Sequence, residues 1–81
     1  MKTVSEAVGE RIKKLLVEKN MNLNKLALGS GMFYGTLDGI MRGRTQTVQL
    51  TSIVKIASGF EMSASEFLDD DLFDEDNLKI D

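Results

Sequence analysis

The stretch from Leu26 to Gly43, LALGSGMFYGTLDGIMRG, decides the fold of this chain. Leu26 and Ala27 lie on one face of a short helix that Asn22 can cap, and Gly29-Ser30-Gly31 breaks that helix into a tight turn. Beyond the turn Phe33, Leu37, Ile40 and Met41 fall at i, i+4, i+7 and i+8, the buried face of a further helix, and Gly43 is placed to end it. The stripe puts the Phe33 ring in the core, and the same helical wheel leaves Tyr34 exposed. Two short helices joined by a glycine turn can present the second of them on the surface of a bundle.

Upstream, Thr3-Val4-Ser5-Glu6 has the pattern of a capping box. Val4, Val8, Ile12, Leu15 and Leu16 then recur at helical spacing, with Arg11, Lys13, Lys14 and Glu18 facing outward and Asn20 as the stop. Downstream, Thr45-Gln46-Thr47 forms a polar loop, with Thr47 as the expected cap of a fourth helix that buries Leu50, Ile53, Val54 and Ala57 and stops at Gly59. Ser63-Ala64-Ser65-Glu66 is a second capping box, opening a short fifth helix with Phe67 and Leu68 inward, while Phe60 and Met62 plug the gap between the two. No stretch alternates polar and apolar residues over strand length. The expected fold is therefore all-α, a compact five-helix bundle, with a domain over residues 1–68 and an acidic C-terminal tail over 69–81.

Composition narrows the function. The chain has 81 residues, enough for one modest core, and contains neither Cys nor His. Without them the usual zinc, iron and copper ligand sets cannot be built, and the commonest general base and the thiol nucleophile are missing. An enzyme is not expected, and no cofactor is. Apolar runs stop at two or three residues, far short of the roughly 20 that a membrane helix needs. Charged residues interrupt any candidate signal segment, so a cytoplasmic protein is expected. The net charge of −3 hides an asymmetry. Residues 1–60 carry nine basic side chains against four acidic, a net +5, whereas residues 61–81 carry nine acidic against Lys79, a net −8. Such an asymmetry suggests a basic binding body joined to an acidic tail, which either modulates binding or merely keeps a small protein soluble.

With Gly9-Glu10-Arg11-Ile12-Lys13, Leu26-Ala27, Gly31-Met32, Thr36-Leu37, Ile40, Gly43, the Ile53-Val54-Lys55-Ile56-Ala57 helix and Ser65-Glu66-Phe67-Leu68 in place, the chain resembles the helix-turn-helix domain of lambda-type repressors, Cro proteins and the bacterial XRE regulators. The resemblance runs from Gly9 to Leu68, about three quarters of the chain. It implies that the third helix enters the DNA major groove while the second crosses the backbone. It puts Tyr34, Gly35, Asp38 and Gly39 on the groove-facing side, with Phe33 at the entrance, where the family usually has a small polar residue. The backbone amides near Asn22 and Leu23 are expected to meet a phosphate, and Arg42, Arg44, Thr45, Gln46 and Thr47 to grip the backbone on the other side. Leu23 stands where a glutamine or serine often reaches DNA. Gly35, Gly39 and Gly43 strip side chains from the reading helix, each interior glycine costing about 1 kcal/mol against alanine.

The expected function is a homodimeric transcription regulator, a repressor, on a short pseudo-palindromic stretch of double-stranded DNA. Tyr34 offers a hydroxyl and an aromatic edge for a thymine methyl, and Asp38 can accept from cytosine N4 if something pairs its charge. Two other readings stand beside it. One is a protein-interaction module using Phe33, Tyr34 and Leu23 as an anchor patch for a protein partner; the other is an antitoxin-like protein that combines both roles. The tail residues Leu72, Phe73, Leu78 and Ile80 are expected near a dimer interface. The tail's charge is expected to restrain DNA binding by competing for Arg42 and Arg44. No room is seen for a ligand-sensing domain.

Overall fold

In a computed structural model describing residues 1–80, five α-helices are found: α1 Val4–Glu18, α2 Leu23–Ser30, α3 Tyr34–Met41, α4 Leu50–Gly59 and α5 Ala64–Leu68. Two short 3-10 turns, Asp71–Phe73 and Glu75–Asn77, follow. Asp81, the last residue assigned to the acidic tail, lies outside the described residues. Among the described residues no strand forms, and no helix is long and apolar enough to cross a membrane.

The helix boundaries follow from side-chain and backbone caps. Thr3 and Glu6 form the capping box of α1, Asn22 caps α2 by accepting from the Lys25 amide at 2.8 Å, and Ser63 and Glu66 form the box of α5. At their C-termini α1, α3 and α4 close with one motif. The residue just beyond the cap turns left-handed, at Asn20, Gly43 and Glu61, and the amide after it reaches back into the last turn. For α3 those bonds are Arg44 N–H to the Gly39 carbonyl at 2.9 Å and Gly43 N–H to the Ile40 carbonyl at 3.1 Å. Gly43, at φ 72°, adopts this turn without the steric penalty a Cβ would bring.

α2 packs on α4, α1 on α3, and α5 on α4 around one core, in which Val8, Ile12, Leu26, Leu37, Ile56, Phe60 and Phe67 are the most enclosed side chains. Gly9 sets the distance between α1 and α3. A methyl group there would come within 2.6 Å of the Ile40 carbonyl oxygen and 3.3 Å of the Met41 Cα, so only glycine lets α1 press against the end of α3.

Several expectations are corrected. Phe33 is not core: it is the N-cap of α3, in extended backbone, and is 85% exposed. Arg11, expected outward, is buried. Its Nε donates to the Phe67 carbonyl at 2.7 Å, one terminal nitrogen to the Glu66 carbonyl at 3.1 Å and the other to Asp70 at 3.3 Å, and the guanidinium lies over the Phe67 ring. Thr47 does not cap α4; Gln49 holds that position without a side-chain bond. The buried stripe of α4 is Ile53, Ile56, Ala57 and then Phe60, leaving Leu50 and Val54 on the outside. Val4 projects past the core at the start of α1. Leu68, one residue and about 100° beyond the fully buried Phe67, turns outward.

Residues 70–79 are tied to α1. Asp70 meets Lys14 at 2.6 Å as well as Arg11, and it accepts from the Leu72 amide. Phe73 stacks obliquely on Phe67, Leu78 is buried, and the Lys79 amide donates to the Lys2 carbonyl in a parallel bridge. Phe73 and Leu78, expected at a dimer interface, are thus occupied within the chain. Among the described residues, the tail carboxylate with basic partners is Asp70, which finds them on α1, at Arg11 and Lys14, and not at Arg42 and Arg44.

Candidate nucleic-acid interface

The turn between α2 and α3 begins at Gly31, the left-handed cap of α2, and ends at Phe33. Met32, just before the α3 cap, packs against the core into which Leu37 is fully sunk, an arrangement that pins the entry of α3. Leu37 and Ile40 hold the inner face of the helix. Tyr34 at 49% exposed, Gly35 with open space around its α-carbon, and the half-buried Asp38 and Gly39 complete what the sequence assigned to the groove. Because Phe33 has no side-chain acceptor, the first-turn amides of α3 receive no cap from it.

Asp38 is committed. Its two oxygens lie 2.9 and 3.0 Å from Arg42 Nε, one helical turn on, and this hydrogen bond, followed by the carboxylate's charge, raises Arg42 above the ordinary guanidinium value. The terminal nitrogens of Arg42 take no part in this pair. Arg44 is exposed, with its backbone fixed by the bond to Gly39. Thr45 leans toward Gly39: its Oγ1 is 3.8 Å from where a methyl on that glycine would lie. Gln46 and Thr47 are exposed, and the Gln46 carbonyl accepts from Ser5 Oγ at 2.8 Å. Ser5 is itself buried, so α1 fastens the loop after α3.

On the α2 side, Asn22 spends its side-chain oxygen on the helix cap, leaving the Leu23 and Asn24 amides as the donors at that end. The Leu23 side chain is corrected: at 9% exposed it belongs to the core, and only its backbone is offered to a ligand. Its burial also removes it from the proposed protein-anchor patch.

Four residues near this face were not assigned to it from the sequence. Ser5 is a loop fastener 41 residues distant along the chain, which no local pattern signals. Lys2 and Lys13 line a groove with Arg42 and Gly43, together with the acids Glu6 and Glu10, the latter 4.0 Å from Lys13, and Lys25 stands in the first turn of α2. The Asp38–Arg42 pair did have a signal, the i, i+4 spacing of opposite charges. Between Lys19 and Phe60 five basic side chains face Asp38 alone, a net +4 on the segment that carries α2, α3 and the loop.

Residues 11–71 match the family model of the Cro/C1-type HTH DNA-binding domain. Among solved structures, the restriction-modification controller protein C.Esp1396I in its wild-type form is 27% identical, covers the whole of both chains and superposes with a TM-score of 0.77. A tyrosine-to-alanine mutant of the same controller is 30% identical over 79% of this chain and 82% of its own, with a TM-score of 0.72. Prophage Lp1 protein 11 is 28% identical over 93% of this chain and 99% of its own, with a TM-score of 0.79. No curated protein matches the chain.

Proposed function

The chain belongs to the Cro/C1-type helix-turn-helix family of DNA-binding regulators, and on that premise we propose that it is a homodimeric repressor that lays α3 in the major groove of a pseudo-palindromic operator. The observation that carries this reading is the outward face of α3. Phe33, Tyr34 and Gly35 are exposed between the uncapped amides of α2 and a loop bearing Arg42 and Arg44, with Asp38 neutralised within the helix. In this reading Arg42, Arg44, Thr45, Gln46 and Thr47 hold phosphates on one side and the amides of Leu23 and Asn24 on the other. Tyr34 reads a base edge, and DNA shape supplies the rest.

Dimerisation is supported by Leu50 and Val54. They lie one turn apart on α4 and are 67% and 51% exposed, an apolar stripe that a second copy would cover. Two copies would present their α3 helices to half-sites about 34 Å apart. The likeness to a restriction-modification controller supports a regulator's role.

The test is selection of bound sequences from a random duplex pool, followed by titration over a range of salt. A symmetric consensus, a protein dimer in the complex and a steep fall of affinity with salt are expected. Absence of any consensus, or salt-independent binding, would refute the reading.

A further inference from the structure

We propose that Phe33 is a specificity-determining residue that reads the C5-methyl groups of thymine in the major groove. This rests on the proposed placement of α3 in the groove.

The Phe33 ring is almost wholly exposed although the chain has a core to receive it. The packing work at this end of α3 is done by its neighbour Met32 together with Leu37, and Phe33 supplies no cap. The ring therefore does nothing for the fold that the structure shows. Its surroundings on α3 are equally specific in what they lack. Gly35 and Gly39 carry no side chain, and Asp38 has both oxygens on Arg42 Nε. No Arg, Lys, Asn or Gln stands among residues 33–39, so the forks that read guanine and adenine in pairs of hydrogen bonds are missing from the face. Tyr34 contributes one hydroxyl.

An apolar ring with no donor or acceptor has one match among the groups that the four base pairs display in the major groove, the methyl group on thymine C5. The glycines let the base edges approach the helix backbone closely enough for that contact. The net +4 of the segment from Lys19 to Phe60 makes duplex DNA the occupant of this face, since it brings phosphates to both sides of the ring. The same geometry makes the protein respond to 5-methylcytosine, which carries a methyl at the equivalent position.

The experiment uses the full chain and the sequence it selects from a random duplex pool, resynthesised with each thymine in turn replaced by deoxyuridine. That exchange removes one methyl and leaves base pairing and every hydrogen-bonding group in place. At one or two positions in each half-site, affinity is expected to fall about fourfold, the worth of one buried methyl. Phe33→Ala is expected to weaken the thymine duplex and to abolish the difference between thymine and uracil, and circular dichroism serves to show the helices intact. At the same position, a C·G pair is expected to gain affinity when its cytosine is 5-methylated. Uracil that is neutral at every position, or a Phe33→Ala protein that still distinguishes thymine from uracil, overturns the proposal while the DNA-binding reading stands. Failure of that reading shows itself differently, as no selected sequence at all.

Discussion

Two surfaces of this small protein are built on opposite terms. Where the tail lies on α1, buried charge is matched by partners: Arg11 caps two carbonyls and an acid, Asp70 gathers Arg11, Lys14 and the Leu72 amide, and the Phe67 ring covers the guanidinium's flank. On the outer face of α3 an aromatic ring hangs in solvent, two glycines weaken the helix, and one ion pair is the polar structure. The first surface holds the fold; the second gives up stability and, in the function proposed, keeps a face open for DNA. In a chain with so modest a core, the seam at α1 and the tail offsets what α3 forgoes.

The largest effect is expected at Arg11. Arg11→Met keeps much of the apolar stem but strips the Glu66 and Phe67 carbonyls of their donor and leaves Asp70 with Lys14 as its one cation, a change that should cost about 3–5 kcal/mol. Urea unfolding measures it. If the comparison is right, molecules that remain folded keep their sequence preference on DNA.

Removal of the residues after Leu68 should cost somewhat less, about 2–4 kcal/mol, since it takes away buried Leu78, the Phe73 contact and the Asp70 pairs. An unchanged urea midpoint together with tighter nonspecific DNA binding would break the comparison and restore the tail as a competitor for Arg42 and Arg44. The same seam has an acid signature. Asp70 is held below the ordinary carboxylate value, first by its hydrogen bond with Lys14, then by the Leu72 amide and, more weakly, by the charge of Arg11. Its contribution is therefore complete above the unfolded-state value near 3.8 and is lost as pH falls through the lower folded-state value. Asp70→Asn should flatten the stability curve on that acid limb and lower stability at neutral pH.

On the open face the effects belong to binding. Tyr34→Ala should relax discrimination by about 1–3 kcal/mol at one base pair, without changing the response to salt. Arg44→Ala should weaken all duplexes alike and make the salt slope shallower by about one unit. Arg42→Ala should weaken binding further than Arg44→Ala, because it also releases the Asp38 carboxylate toward the phosphates. Competition assays on matched and mismatched duplexes separate these outcomes, and an arginine change that alters sequence preference would show that the reading and gripping roles have been exchanged.

The helices were legible because their caps are local: Thr3 with Glu6, Asn22, and Ser63 with Glu66 each announce a start within four residues. The α3 face was legible as a helical wheel from Tyr34 onward. Phe33 was misread because the wheel was run one step too far, into extended backbone where a 100° step has no meaning. Thr47 was misread as a cap because Val48 packs against the core and carries the loop two residues further before α4 can begin. Arg11 was misread because its partners lie 55–59 residues away, and only the folded tail makes burial of a guanidinium favourable.

Ser5 is where the two surfaces meet, and it gives the smallest and most diagnostic effect. Its hydroxyl is buried at the start of α1 and donates to the Gln46 carbonyl, so the helix that anchors the tail also fastens the loop proposed to hold phosphates. Ser5→Ala removes one hydrogen bond to a residue that can turn to water instead, which limits the loss of stability to about 1 kcal/mol. For binding, the loop must then be ordered by the DNA itself, so affinity for every duplex should fall by roughly fivefold, the equivalent of the same 1 kcal/mol. Discrimination should stay as it was, because the start of α3, which carries Phe33 and Tyr34, is anchored in the core through Met32 and Leu37. Unfolding and duplex titrations on the same variant decide the matter. A loss of stability with no loss of affinity would mean that the phosphate grip does not depend on α1, and that the two surfaces are mechanically separate.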